Sequence, residues 1–358
     1  MSQGTESSQR RISYRDAGVD IDTTDLAKRR ITDLVTSTHG PAVLRGLGHF
    51  GGFFAAPGEN NPHVLVSSAD SVGTKVLVAN LAGHHENIGV DLVNHCVNDI
   101  LACGARPLFF LDYFAAADLD IAMFESIVRG MTAACRDAGC ALIGGETAQL
   151  PGVYAGGSYD LAGFIVGSVH RDAIIDGATI QPGDLLVGLP SSGLHTNGYS
   201  LARAALGLTG DEATGRERLA GVPDWSNRSL GDLLLEPHRS YLHQVGPLLD
   251  QGGIRGMAHI TGGGLCGNVS RIIPDGLTAT IDAGSWEVPP LFRTIQQAGE
   301  IPDDEMYRVF NMGIGFVSVV DPDVAGRFTS LVGARVIGEI RRDGRDARAE
   351  LVGVDRPG

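Results

Sequence analysis

The chain has 358 residues, 43% of them hydrophobic, and a formal net charge of −14. That length suits about two domains with ample core, and the charge argues against non-specific nucleic-acid binding while leaving room for a local site that holds an anion. No apolar run is long enough to cross a bilayer, and the opening "MSQGTESSQRR" lacks the apolar centre of a signal peptide, so 1–12 reads as a disordered polar leader. Five cysteines (Cys96, Cys103, Cys135, Cys140, Cys266), an odd number without a C-x-x-C pair, disfavour a zinc site or disulfide framework and suit reduced thiols in the cytoplasm.

In chain order, a helix is expected over 24–38 with Thr23 or Thr24 as N-cap. "GLGHFGGFF" is a glycine-rich loop with a literal G-x-G-x-x-G at Gly46, Gly48 and Gly51. The dinucleotide fingerprint needs a helix next, and "FFAAPGENNP" with its two prolines cannot supply one. A loop whose amides cover phosphates and a plain surface turn both stay open. "HVLVSSAD" is a strand, and "ENIGVDLVNHCVNDILACGA" has helical period with Leu92, Val93, Cys96, Val97, Ile100 and Leu101 on its apolar face. "RPLFFLDYFA" reads as a strand covered on both faces. A helix over 120–138 stops at Gly139, "CALIGGETAQLPG" is a strand that breaks at two glycines, and "DLAGFIVGSV" is a further strand.

The second half repeats strand, glycine loop and helix in "DLLVGLPSSGLHTNGYSLARAAL" and again in "GMAHITGGGLCGNVSRIIP". "YRVFNMGIGFVSVV" reads as a strand through a glycine pair, and 206–229 as an insertion or mobile loop. A boundary near 168–178, polar and turn-rich, divides the chain into 13–170 and 171–346, with a tail over 347–358. Strands mixed with helices without strict βαβ regularity give an α+β class, two domains with mixed sheets.

The chemistry gathers around "SSADSVGTK". Of 28 basic residues only Lys28 and Lys75 are lysine. In a chain so biased toward arginine, a lysine beside Asp70, Gly73 and Thr74 marks a place for a compact point charge, whereas Lys28 on a charged helix is a chance survivor. Asp91, His95, Asn98 and Asp99 form one polar stripe on the 86–105 region without the Lys and Glu of a wetted face. Asp112 interrupts an apolar strand, and Glu146 follows the strand glycines. Dispersed oxygen ligands suit Mg²⁺, and Mg²⁺ with a phosphate-directed lysine makes an ATP site without a Walker loop. "SSGLHTNG" and "HITGGG" are polar glycine loops ahead of helices, suited to a second anion, with His195 and His259 as candidate acids, bases or donors.

The motifs "SYRDAGVDID", "GLGHFGGFF", "SADSVGTK", "LIGGETAQLPGVY", "SSGLHTNGYSLAR", "AHITGGG" and "NMGIG" occur in this order. Together they resemble the phosphoribosylformylglycinamidine cyclo-ligases (AIR synthetases), from about Ser13 to about Ile340. Ser71 departs from the family's usual glycine, and "GHFGGFF" from its commoner "GGFGA". The resemblance implies a homodimer whose N-terminal sheets join into a barrel, and ATP- and Mg²⁺-dependent closure of formylglycinamidine ribonucleotide to aminoimidazole ribonucleotide. It implies that Lys75, Asp70 and His195 serve the chemistry. It further implies that Gly46, Gly48, Gly51, Gly73, Thr74, Lys75, Asp99 and Glu146 meet the nucleotide, with Asp70, Asp99 and Glu146 at the metal. Ser192, His195, Asn197, Thr261, Gly262, Gly263 and Gly264 would face the ribonucleotide. Selenophosphate synthetases, similar in architecture, usually carry a reactive Cys near the N-terminus, whereas the first Cys here is Cys96. A silent ATP-binding scaffold is the rival of another class, supported by Ser71 alone.

Overall fold

The computed structural model describes residues 12–342 and 348–354. Residues 1–11 of the expected leader, and 347 and 355–358 of the expected tail, lie outside the described residues. No helix of the described residues is long and apolar enough to cross a membrane. The fold is α+β with two mixed sheets, as expected.

The first half comprises α1 (Ile21–Thr36), β1 (Gly52–Ala55), β2 (His63–Ser71), α2 (Lys75–Ala82), α3 (Glu86–Ala102), β3 (Arg106–Ala116), α4 (Ile121–Asp137), β4 (Ala141–Gln149) and β5 (Tyr159–His170). Its five strands run in the order β1-β2-β5-β3-β4, with β3 and β4 alone parallel. The helix expected over 24–38 starts earlier because Asp20, not a threonine, caps it: its carboxylate accepts the Thr23 N–H at 3.2 Å. β4 does not break at its glycines. It runs through Gly144 and Gly145 because a Cβ at Gly145 would stand 2.2 Å from Asp112 Oδ1, so only glycine lets β4 lie beside β3 there.

One face of this sheet, including Val64, Val66, Phe110, Phe114, Leu161 and Ile165, is buried beneath α3 and α4. The other face is open. Phe54 is 48% and Phe164 43% exposed, with Leu65, Leu111, Tyr113 and Val166 half-buried beside them. The expectation that the "RPLFFLDYFA" strand is covered on both faces therefore fails within one chain.

The second half comprises β6 (Leu185–Pro190), α5 (Tyr199–Ala205), α6 (Glu212–Ala220), α7 (Leu230–Leu234), α8 (Leu242–Leu249), β7 (Ile254–His259), α9 (Gly264–Val269), β8 (Leu277–Asp282), α10 (Pro290–Gly299), α11 (Asp303–Val309), β9 (Ile314–Val320), α12 (Ala325–Thr329), β10 (Arg335–Arg342) and β11 (Arg348–Val352). The sheet order is β11-β8-β10-β6-β9-β7, with β11 and β8 alone parallel. All of β9 is buried, the mark of a central strand covered on both faces. The "YRV" expected at the start of that strand is instead the end of α11, and the strand begins after Gly313. The stretch 206–229 is not a bare loop but holds α6, whose Gly215 packs against Leu81 of α2. The expected tail contributes β11 as an edge strand.

α3 and α4 cross where each presents a glycine. A Cβ on Gly89 would sit 2.0 Å from Ile127 O, and one on Gly130 would sit 1.9 Å from Glu86 O. Alanine is the better helix former by about 1 kcal/mol. Here Gly130→Ala is nevertheless expected to destabilise the protein by about 1–3 kcal/mol, because the helices must separate. Thermal or urea melting checks this, and an unchanged midpoint would show that the crossing relaxes freely.

Candidate active site

α3 lies between the two halves, and its polar stripe is buried rather than wetted. Asn87 donates to Leu235 O at 2.9 Å, Asn94 to His238 O at 2.7 Å and Asn98 to Arg239 O at 2.8 Å. Asp91 accepts the His238 N–H at 2.6 Å, and Asn98 Oδ1 accepts the Tyr241 N–H at 2.9 Å. These side chains recur every three or four residues, one face of a helix. They satisfy the backbone of the irregular 235–241 segment, which has no strand partner there.

Lys75, the first residue of α2, closes the same seam. Its Nζ lies 2.7 Å from Asp91 Oδ2, both side chains being wholly buried, and donates to Glu236 O at 2.9 Å and His195 O at 3.1 Å. Burial lowers the Lys75 pKa and raises that of Asp91, and their mutual attraction opposes both shifts. An ammonium has three donors, and all three are engaged. The expectation that Lys75 extends its charge to a nucleotide phosphate is therefore corrected: the compact ammonium is needed, but by an enclosed junction.

The acids expected at a metal separate into two groups. Asp70 and Ser68 point from β2 toward α3. Asp70 Oδ2 pairs with His95 Nε2 at 2.7 Å, and Asp99 Oδ2 accepts from Ser68 Oγ at 2.8 Å. Glu146 is exposed on edge strand β4, paired in register with Tyr113, while Asp70 shares a row with Gly163, Asp112 and Gly145. Glu146 is thus three strands from Asp70, roughly 14 Å along the sheet. The two carboxylates of one chain cannot meet on one ion, which corrects that grouping.

Between Asp70 and Asp99 lies a buried chain of side chains that sequence reasoning did not assemble. His95 Nδ1 contacts Thr196 Oγ1 at 2.6 Å, and Thr196 Oγ1 contacts His238 Nδ1 at 3.3 Å. His238 Nε2 meets His259 Nε2 at 3.0 Å, and His259 Nδ1 meets Asp99 Oδ1 at 2.8 Å. Burial works against a charge on His95, but the Asp70 carboxylate outweighs it and the pKa rises to about 9. Burial holds His195 and His238 well below the ordinary histidine value. His195, expected to face a ribonucleotide, is enclosed and stacked on His238 at 4.0 Å. His195, His238 and His259 offer nitrogens within 4.8 Å of one another. The stacked rings of His195 and His238, 18° apart, leave their in-plane lone pairs parallel rather than converging on one ion.

Around this buried centre the expected loops come together. Gly73 packs beside Thr196 O, and Thr74 Oγ1 meets Ser200 Oγ at 3.0 Å. Asn197 lies against Gly262, with its amide nitrogen buried and unpartnered. Ser192 donates its Oγ–H to Pro237 O at 2.6 Å. The Gly46–Gly52 loop is held against the second half by Arg271, which donates to Gly48 O at 2.9 Å. Residues missed from sequence are Thr196, His238, Asn268 and Arg271; "EPHRSY" carried the only signal for His238, a histidine in a polar run without helical period.

The fold is that of a class with solved members. The structure of AaThiL complexed with AMPPCP and TMP superposes with a TM-score of 0.63 at 16% identity, covering 94% of this chain and 96% of that one. Thiamine-monophosphate kinase from Stenotrophomonas maltophilia K279a gives 0.59 at 19% identity, covering 91% and 95%. At such identity the likeness shows the fold alone. Residues 54–169 and 181–349 match the models of the AIR synthase related protein N-terminal and C-terminal domains.

The chain is 48% identical over 338 residues to the phosphoribosylformylglycinamidine cyclo-ligase of Methylobacillus flagellatus, covering 93% of this chain and 95% of that one. It is 51% identical over 316 residues to that of Anaeromyxobacter dehalogenans, covering 87% and 89%. The chain belongs to the phosphoribosylformylglycinamidine cyclo-ligase family, enzymes of the ligase class that serve purine biosynthesis.

The enclosed Lys75–Asp91 pair makes a test of its own. Lys75→Met leaves Asp91 charged and buried and is expected to cost about 3–5 kcal/mol of stability. Lys75→Met/Asp91→Asn, which removes both charges and keeps the acceptor for His238, should recover much of that loss. Lys75→Arg should lower the melting temperature through overpacking, by about 1–3 kcal/mol. A normal melt for Lys75→Met would refute the structural role.

Proposed function

We propose that this cyclo-ligase uses ATP and Mg²⁺ to close formylglycinamidine ribonucleotide to aminoimidazole ribonucleotide. The observation that carries the reading is the convergence of glycine loops from both halves of the chain around the Asp70–Asp99 centre. A fold likeness to a protein solved with AMPPCP supports a nucleotide there.

In the proposed reaction the formamide oxygen of the substrate attacks the γ-phosphorus and ADP leaves. The resulting iminophosphate carries a good leaving group. The amidine nitrogen then attacks the activated carbon, a C–N bond forms, the C–O bond breaks, and phosphate departs with the proton going to solvent or base. The protein supplies position and charge balance. Gly46, Gly48, Gly51, Gly73 and Thr74 are proposed to meet the nucleotide, and Ser192, Asn197 and Thr261–Gly264 the ribonucleotide. The unpartnered Asn197 amide is suited to donate to it.

Mg²⁺ takes one or two carboxylates together with waters and phosphate oxygens. Asp70, 39% exposed at its side chain, fits as the first protein ligand. Asp99 is only 8% exposed, with its oxygens engaged by His259 and Ser68, so it serves by orienting this centre unless one contact yields. When bound, the ion neutralises phosphate charge. Lys75 and His195 are proposed to act by holding the loops rather than by touching ligands.

We further propose that the domains divide near residue 170, that the enzyme works in the cytoplasm, and that the open apolar sheet face pairs with that of a second chain. Joining the two sheets into a barrel would close their exposed edges and cover the apolar face. ADP release should require both Mg²⁺ and formylglycinamidine ribonucleotide, and equal ATPase rates with and without that substrate would refute the cyclisation reading. For the dimer, sedimentation at micromolar concentration should give twice the chain mass, and Phe164→Arg, on the open face, should shift it toward monomer. A wild-type protein that stays monomeric would rule the pairing out.

A further inference from the structure

Arg271 follows α9 and reaches back to the first half of the chain. Its Nε donates to Gly48 O at 2.9 Å and its Nη2 to His49 O at 2.6 Å. The guanidinium carbon lies 3.9 Å from the centroid of the buried Phe50 ring. The remaining arm, Nη1, donates to Asn268 Oδ1 at 3.4 Å. Asn268 is buried, and its amide donates to the carbonyls of Thr261, Gly262 and Gly264 at 3.2, 3.3 and 2.8 Å. Two side chains therefore connect the Gly46–Gly52 loop with the Thr261–Gly264 loop.

This connection holds carbonyls of both loops. Among the described residues the backbone N–H groups of Gly46, Leu47, Gly48 and Phe50 donate to no protein acceptor, and that of His49 alone is drawn into the Leu47–Gly48 turn, so the loop keeps most of its donors free. A phosphate gathered by those amides would fix the Gly48 and His49 carbonyls. The guanidinium, Asn268 and the second loop would then be fixed in turn. We propose that Arg271 is a positioning residue that couples the two loops, so that nucleotide and ribonucleotide each tighten the binding of the other. The proposal rests on the assignment of those loops to the two ligands given above. A forked, planar guanidinium suits the task, because three acceptors in different directions need donors spread over a rigid frame; the ammonium of lysine presents its donors from one point.

The test is calorimetric titration of the full chain with AMPPCP and Mg²⁺, with and without formylglycinamidine ribonucleotide, for wild type, Arg271→Ala and Arg271→Lys. In the wild type each ligand should tighten the other by about tenfold, the same factor in both directions. In Arg271→Ala each ligand alone should bind within about threefold of wild type while the coupling falls below about twofold. Arg271→Lys should keep the charge yet lose most of the coupling. Because Arg271 is a surface residue, its variants should melt within a few degrees of wild type, and the coupling factor is a readout that a purely structural role would not move. Full coupling in Arg271→Ala, or independent binding of the two ligands to wild type, overturns the proposal alone. Wild type that binds no AMPPCP removes the nucleotide assignment and this proposal with it.

Discussion

The rest of the molecule depends on a helix whose polar face is buried. α3 packs its apolar residues under the first sheet and turns Asn87, Asp91, Asn94 and Asn98 toward the 235–241 segment of the second half. Each such bond is worth only about 1 kcal/mol net, but an unmet buried donor or acceptor costs more than that. The stripe therefore specifies one docking of the two halves, since any slip would strand several polar groups at once. Lys75 adds a buried charge that Asp91, aided by Glu236, balances there.

This joint determines where the chemistry can be. Because α3 is pinned at Asn94 and Asn98, His95 and Asp99 between and beside them face the strand end that carries Asp70. The carboxylates are balanced by histidines rather than by lysine or arginine, so the centre keeps little net positive charge of its own. The Gly46–Gly52 loop offers amide donors, with the Arg271 guanidinium seated on its Gly48 and His49 carbonyls. Such a division suits a reaction in which phosphate charge must move between groups while the protein stays put.

Much of this was legible in the chain. The periodicity of the 86–105 region marked both an apolar face and a polar stripe, and the absence of Lys and Glu from that stripe correctly argued that it is not a wetted surface. What the pattern could not tell was the partner. A buried stripe of Asp, Asn and His serves metal ions and backbone groups equally well, and here Asp91 and Asn98 meet backbone contributed more than a hundred residues later while His95 and Asp99 meet side chains. The scarcity of lysine likewise identified Lys75 as special, although what selects the ammonium is the size of an enclosed junction. Short-range errors have local causes. The α1 boundary moved because aspartate outcompeted threonine as a cap, and β4 was read as broken because glycine was taken for flexibility where it provides room beside Asp112. Thr196 and Arg271 carry no periodic signal, since each acts through contacts across the two halves.

The enclosure of Lys75 has a practical side. The chain has two lysines, and with Lys75 fully buried, Lys28 is the lysine side chain that an amine-directed reagent meets in the folded protein. Lys28 lies on α1, a helix with no fully buried residue that is tied to the second half through the Asp22–Arg308 pair. With the more acidic α-amino group blocked first at lower pH, a fluorophore attached through the Lys28 amine marks one known place on the least embedded helix, without a cysteine substitution. It would report how that helix rides on the body of the enzyme as ligands arrive.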